Sequence, residues 1–277
     1  MINILTDSTA DIPRALIENF HIEAIPMYIQ LNGKVYKDGE EIDAKMLFDI
    51  VSETGIYPTT SAPSPRDFFE FFNREEPSIY IGVSSKLSMA FRNALLAQRE
   101  LGNERLELID SLSFSTGYGQ VVLQAAEWRD SGMDFHTLSD KIRSMIEKTR
   151  GIFILDTLDY IYHGGRCSSI EHFVSSLLRI HPFLNVLPDG TLGILQKVPG
   201  SRIRAVKTLL DYLINQLKTI KVNRVFITHL DCEEEAVYLH DQISSLFPSI
   251  ELFTVEIGCA LASHSGPKPL GIAYSFG

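Results

Sequence analysis

Ile79-Tyr80-Ile81-Gly82-Val83-Ser84-Ser85-Lys86-Leu87-Ser88 is a short apolar run that ends abruptly in a loop of hydroxyls. The same pattern recurs. Residues 2–5 run into Thr6-Asp7-Ser8-Thr9, and residues 106–109 into Asp110-Ser111-Leu112-Ser113-Phe114-Ser115-Thr116-Gly117. Further strand-like runs fall at 24–31, 152–155, 183–187, 192–197, 224–230, 251–255 and 271–276. Helical patterns separate many of them. The clearest is 205–217, where Val206, Leu209, Leu210, Leu213, Ile214 and Leu217 recur at steps of three and four. Asp11-Ile12-Pro13 and Ser64-Pro65 read as helix starts, with a capping side chain and a proline in the first turn. Strands alternating with helices predict an α/β fold with mainly parallel pairing. Asp189-Gly190 between two strand patterns signals a hairpin, so antiparallel strands are expected in the second half. That change of pattern divides the chain into expected domains 1–150 and 151–277.

In a parallel sheet the loops after the strands gather at the carboxyl ends, where ligands bind. A further hydroxyl cluster, Thr59-Thr60-Ser61-Ala62-Pro63-Ser64, is read as opening a helix. Hydroxyls and helix-opening N–H groups can hold an anion without a formal cation. Each loop taken singly could be no more than a helix cap. Four together point to a polar pocket.

Bulk composition narrows the function. The 277 residues are 45% hydrophobic and 22% charged, which is globular composition, and the formal net charge is −10. That field repels polyanions, so nucleic acid is not an expected partner. Cys167, Cys232 and Cys259 are widely spaced and odd in number, which fits free thiols rather than a disulfide framework or a zinc knuckle. The N-terminus meets Asp7 with no basic region before it, unlike a signal peptide, and no apolar run reaches the ~18 residues of a membrane span. A cytoplasmic protein is expected.

Familiar catalytic motifs fail in identifiable ways. There is no G-x-x-x-x-G-K-[ST] loop, and residues 6–11 lack the glycines of a dinucleotide fingerprint. Gly82-Val83-Ser84-Ser85-Lys86 has only the first half of a nucleophile elbow. Ser265-Gly266-Pro267-Lys268 has the S-x-x-K spacing, but Gly-Pro inside it argues against the helix that such sites use. His229-x-Asp231 offers too few ligands for a metal and reads as a strand-end histidine with a hydrogen-bond partner. His264 lies in Ala262-Ser263-His264-Ser265-Gly266-Pro267, read as a Gly/Pro loop suited to function or to a turn. Gly164-Gly165-Arg166 is either a helix stop or a close backbone approach with an arginine poised for an anion.

Taken in order, these segments resemble the DegV family of fatty-acid-binding proteins. The matching stretches are Thr6 to Pro13, Thr60-Ser61-Ala62-Pro63-Ser64, Ser84-Ser85-Lys86-Leu87-Ser88, Asp110-Ser111 with Ser115-Thr116-Gly117, Tyr160 with Gly164-Gly165-Arg166, Asp189-Gly190 with Lys197-Val198, and His264-Ser265-Gly266-Pro267. The resemblance implies a two-domain α/β fold, with a parallel-sheet N-terminal domain and a mixed-sheet C-terminal domain. A long-chain fatty acid such as palmitate, stearate or oleate would be bound between them. It implies a lipid-binding carrier with no catalytic residue, metal or cofactor of its own, which presents the carboxylate to a separate fatty acid kinase. By the same resemblance Thr60 and Ser88 bind the carboxylate, and Arg166 and His264 surround the head group. Ser61, Ser84 and Ser85 are further hydroxyls expected nearby. The chain departs from the family at Met89-Ala90-Phe91, where Gly-Thr-Tyr is usual, so Met89 is expected to trim the tunnel or tilt the helix after it. It departs again at Pro199, where the family has an arginine on the surface linked to the kinase, with Arg202 and Arg204 as substitutes. The competing readings are a serine-dependent acyl-ester hydrolase with His264 as base, and a lipid-sensing regulatory module.

Overall fold

The computed structural model describes residues 2–166 and 180–277; Cys167 lies outside them. Strands β1 (Asn3–Asp7), β2 (Ile22–Ile25), β3 (Tyr28–Leu31), β4 (Lys34–Lys37), β5 (Thr59–Ser61), β6 (Ser78–Gly82) and β7 (Leu106–Asp110) occupy the first part of the chain. The later strands are β8 (Thr149–Ile154), β9 (Ile180–Val186), β10 (Leu192–Pro199), β11 (Val222–His229), β12 (Glu251–Glu256) and β13 (Leu270–Phe276). They form a wholly parallel sheet in the order β2-β1-β6-β7, a mixed sheet in the order β10-β9-β8-β13-β11-β12, and a small antiparallel sheet β4-β3-β5. The α/β class is as the sequence predicts, and the contrast between a parallel and a mixed sheet is as the resemblance implies, but pairing is not mainly parallel: among the described residues four strand pairs are parallel and six antiparallel.

Burial explains the parallel sheet. All five residues of β6 are buried, as befits a strand covered by helices on both faces. In the mixed sheet only β11 and β12 run parallel; the other neighbours are antiparallel. The helix Arg202–Leu217 is capped by Ser201 and buries Ala205, Val206, Leu209, Leu210, Leu213 and Leu217, the stripe its periodicity predicts. The β9–β10 hairpin forms at Asp189-Gly190, and Gly190 adopts φ +86°. A Cβ there would lie 2.5 Å from Ser84 Oγ, so this glycine serves both the turn and a close approach to the first part of the chain.

Four further expectations need correction. The expected strand 24–31 is two strands in different sheets, split at Pro26-Met27, where proline cannot donate to a ladder. Thr59–Ser61 does not open a helix. It pairs with β3, and the helix Pro65–Phe72 begins only at Ser64, which forms a capping box with Asp67. Strand β4 was not expected, although its signal is present: Asn32-Gly33, both at positive φ, is a two-residue hairpin turn. His264 lies not in a loop but in the last turn of the helix Cys259–Ser265.

Candidate functional site

The carboxyl ends of the strands do gather hydroxyls, but the fold consumes many of them. Thr6 Oγ1 donates to the Ile81 carbonyl at 2.9 Å, and Ser8 Oγ donates to Asp38 at 2.6 Å. Asp7, fully buried, accepts from Tyr118 Oη, Tyr80 Oη and Val83 N at 2.8–3.0 Å. Thr6-Asp7-Ser8-Thr9 is thus chiefly a structural lock on the end of β1.

What remains is a cavity of about 860 Å³, counted to its open mouth and walled by both main sheets. Its apolar walls come from Leu155, Ile161, Leu184 and Leu192, which form one buried cluster with Leu87 and Phe114 packed against it. Phe114 and Phe153 stack at 4.7 Å and bridge the two parts of the chain. Polar groups enter this apolar space at few points, and Thr60, Ser88, Arg166 and His264 are among them.

Those four residues come from four separate segments of the chain, and each is positioned by an identifiable contact. Thr60 sits on β5 opposite Ile29, and its Oγ1 lies 2.8 Å from His264 Nε2. His264 Nδ1 is buried with no hydrogen-bond partner. The proton therefore belongs on Nε2, which donates to Thr60 and leaves the Thr60 hydroxyl free to donate into the cavity. Burial, and secondarily the Arg166 charge, push the His264 pKa down to about 3. The ring is neutral at pH 7 and acts as a donor, not as a cation.

Ser88 Oγ accepts from Ala90 N, the first residue of the helix Ala90–Leu101, at 3.2 Å, which leaves its own proton to donate. Arg166 Nε donates to the Leu87 carbonyl at 3.0 Å and Nη1 to the Gly164 carbonyl at 2.6 Å. Burial lowers the Arg166 pKa from its ordinary value. The guanidinium is thereby fixed one residue from Ser88. Gly164 makes room: a Cβ there would lie 2.2 Å from His264 Nδ1.

The other expected hydroxyls do not line the cavity. Ser61 follows Thr60 on a strand, so its side chain takes the opposite face. Ser84 is buried and donates to the Gly190 carbonyl at 2.8 Å. Ser85 is exposed. Met89 does not trim the tunnel either; it is 51% exposed and outside the cavity lining. Sequence reasoning missed the apolar lining from β8 to β10 and the residues around Ile257. Their signal was only hydrophobicity, which does not distinguish a cavity wall from a packed core.

The model of the family described as "Uncharacterised protein, DegV family" matches residues 1–277. A DegV domain-containing protein of Caldanaerobacter subterraneus subsp. tengcongensis is 32% identical, with 99% of this chain and 98% of the relative covered. Among solved structures, a DegV family protein from Thermus thermophilus, described by its fatty acid binding, aligns with a TM-score of 0.89 at 28% identity, over 99% of each chain. DegV from Bacillus subtilis, described as a fatty acid binding protein, aligns with a TM-score of 0.88 at 26% identity, over 100% of this chain and 99% of the other. A full-length family match, a shared fold and a cavity between the two sheets agree: the chain belongs to the DegV family.

Proposed function

We propose that the cavity holds one long-chain fatty acid, with its tail along the Leu155–Leu192 wall and its carboxylate at Thr60 and Ser88. The observation that carries this reading is the lining of the cavity, which is largely apolar but includes two hydroxyls free to donate and one fixed guanidinium. The fatty acid binding of the relatives from Thermus thermophilus and Bacillus subtilis supports it. Tail and head have different tasks. A buried methylene contributes ~0.8 kcal/mol, so a long chain supplies on the order of 10 kcal/mol before ordering costs. Each hydrogen bond to a carboxylate adds roughly 1.5–3 kcal/mol and selects for an acid.

In this proposal the chain is a carrier. It presents the carboxylate to a separate ATP-dependent fatty acid kinase and keeps the acyl phosphate bound, with Arg166 supplying positive charge and His264 a neutral donor. The substitute docking arginine would be Arg204, which is exposed. Arg202 is committed to Glu235 and Asp156. The hydrolase alternative fits poorly. A general base works best with a pKa near the operating pH, and His264 lies far below it with no carboxylate on Nδ1 to orient it.

Native mass spectrometry of the protein purified from cells tests the carrier reading. One fatty acid per chain is expected. An apo mass that added palmitate or oleate does not shift would overturn it. Covalent labelling by a fluorophosphonate would favour the hydrolase instead.

A further inference from the structure

A second constellation lies outside the cavity. His229 ends β11 and Glu256 ends β12, and the parallel register places them opposite one another. Glu233 opens the helix Glu233–Leu246 four residues after His229. One ring nitrogen of His229 and one carboxylate oxygen from each glutamate all lie within 4.8 Å of one another.

Two facts make this more than a group of surface acids. His229 is 5% exposed, and neither ring nitrogen has a hydrogen-bond partner among the described residues; Nδ1 is fully enclosed. A buried polar group left unpaired costs ~1–3 kcal/mol and calls for a partner. The expected hydrogen-bond partner of a strand-end histidine is thus missing. The neighbouring acids are also already matched, Glu235 with Arg202 and Glu251 with Arg224, whereas Glu233 and Glu256 form no ion pair among the described residues. The dipole at the helix start opposes a cation, but it is equivalent to about half a charge. Glu233, Glu234 and Glu235 in the first turn outweigh it.

We propose that His229, Glu233 and Glu256 bind one divalent transition-metal ion, with Zn²⁺ the best match. Zn²⁺ accepts both imidazole nitrogen and carboxylate oxygen as ligands, whereas Mg²⁺ and Ca²⁺ prefer all-oxygen shells. Both glutamates are exposed, so water completes the coordination. The ion would sit directly behind the fatty-acid cavity, because Thr228 and Ile257, the chain neighbours of His229 and Glu256, line it. The assignment does not depend on what the cavity holds.

The test is calorimetric titration of the full chain, stripped with chelator, against ZnCl₂, MgCl₂ and CaCl₂. One Zn²⁺ per chain is expected, with little response to the other two. Glu233→Gln and Glu256→Gln should each weaken Zn²⁺ binding at least ~10-fold. Both positions are exposed, so the fold should survive, which circular dichroism verifies. His136→Gln and His240→Gln should leave binding unchanged. Absence of stoichiometric Zn²⁺ binding, wild-type affinity in both glutamine variants, or preference for Mg²⁺ or Ca²⁺ would each overturn the assignment.

Discussion

At Gly164 a Cβ would meet His264 Nδ1 at 2.2 Å and Cε1 at 2.7 Å, both on a ring that is itself held to Thr60. Gly164→Ala should therefore push His264 off Thr60 and weaken fatty acid binding by about tenfold, the loss of roughly one good hydrogen bond. Gly165 is the control. Its φ of +71° strains any side chain, but nothing lies within 4 Å of a Cβ there. Gly165→Ala should cost about 1 kcal/mol of stability and leave binding nearly intact. Displacement of a fluorescent fatty acid reads both variants; equal losses would show that backbone strain, not the His264 contact, is responsible. Ser88→Ala removes a donor to the carboxylate and should weaken fatty acids by roughly 10- to 100-fold. The matching alcohol should be weakened much less, and a uniform loss for acid and alcohol would count against the head-group assignment. The sequence could show Gly-Gly-Arg as a helix stop or a close approach. It could not show that the approaching group is a histidine from the far end of the chain.

The helix Cys259–Ser265 carries His264, and two buried carboxylates hold its start. Gly258 N donates to Asp11 at 2.8 Å and Ala260 N donates to Asp38 at 3.1 Å. These N–H groups have no partner within a helix, and a side-chain oxygen at that end, ionised or protonated, satisfies them as an acceptor. Asp38→Ala leaves a buried N–H unpaired. It should destabilise the protein by ~1–3 kcal/mol and lower fatty acid affinity through the loosened helix, whereas Asp38→Asn, which still accepts, should do less. Urea unfolding and the same displacement assay compare the two variants, and equal effects would show that the acceptor is not the cause. Elements with strong local signals were legible in the sequence: the buried strand β6, the amphipathic helix Arg202–Leu217, the Asp189-Gly190 hairpin. Thr59–Ser61 was not, because three residues are too short for a period and become a strand only by pairing with β3. Thr60, Ser88, Arg166 and His264, which the family resemblance singles out, do line one cavity. The site was opaque where side chains serve the fold, as at Ser84, whose hydroxyl is spent on the Gly190 carbonyl.

For the whole molecule, two buried groups make stability depend on pH in opposite senses. Burial, reinforced by the charges of Asp38 and Asp7, outweighs the hydrogen bonds from Gly258 and Ser115 and raises the Asp11 pKa to about 8. The folded protein keeps this proton where the unfolded chain, with an ordinary value near 3.8, has released it. The contribution is therefore complete below about 3.8 and is lost as pH rises through 8. His264 works the other way. Its folded pKa of about 3 lies below the ordinary 6.5, so its contribution is complete above 6.5 and is lost as pH falls through 3. Between about 4 and 6.5 the two trends oppose each other, while above 6.5 only the Asp11 loss remains and below 4 only that of His264. Many other carboxylates also titrate on the acid side, so the informative quantity is the difference between variant and wild type at each pH. Asp11→Asn keeps the shape and abolishes the titration. Its stability relative to wild type should rise from pH 4 to pH 8, by a few kcal/mol at most. His264→Gln should gain relative to wild type as pH falls from 6.5 towards 3. Urea denaturation of fatty-acid-free protein across this range measures both, and a variant-to-wild-type difference that stays flat with pH would show that the group in question titrates normally. Bound fatty acid should shrink the His264 effect alone, because a carboxylate beside the ring favours its protonated form, whereas Asp11 stands behind the helix Cys259–Ser265 and not in the lining of the cavity.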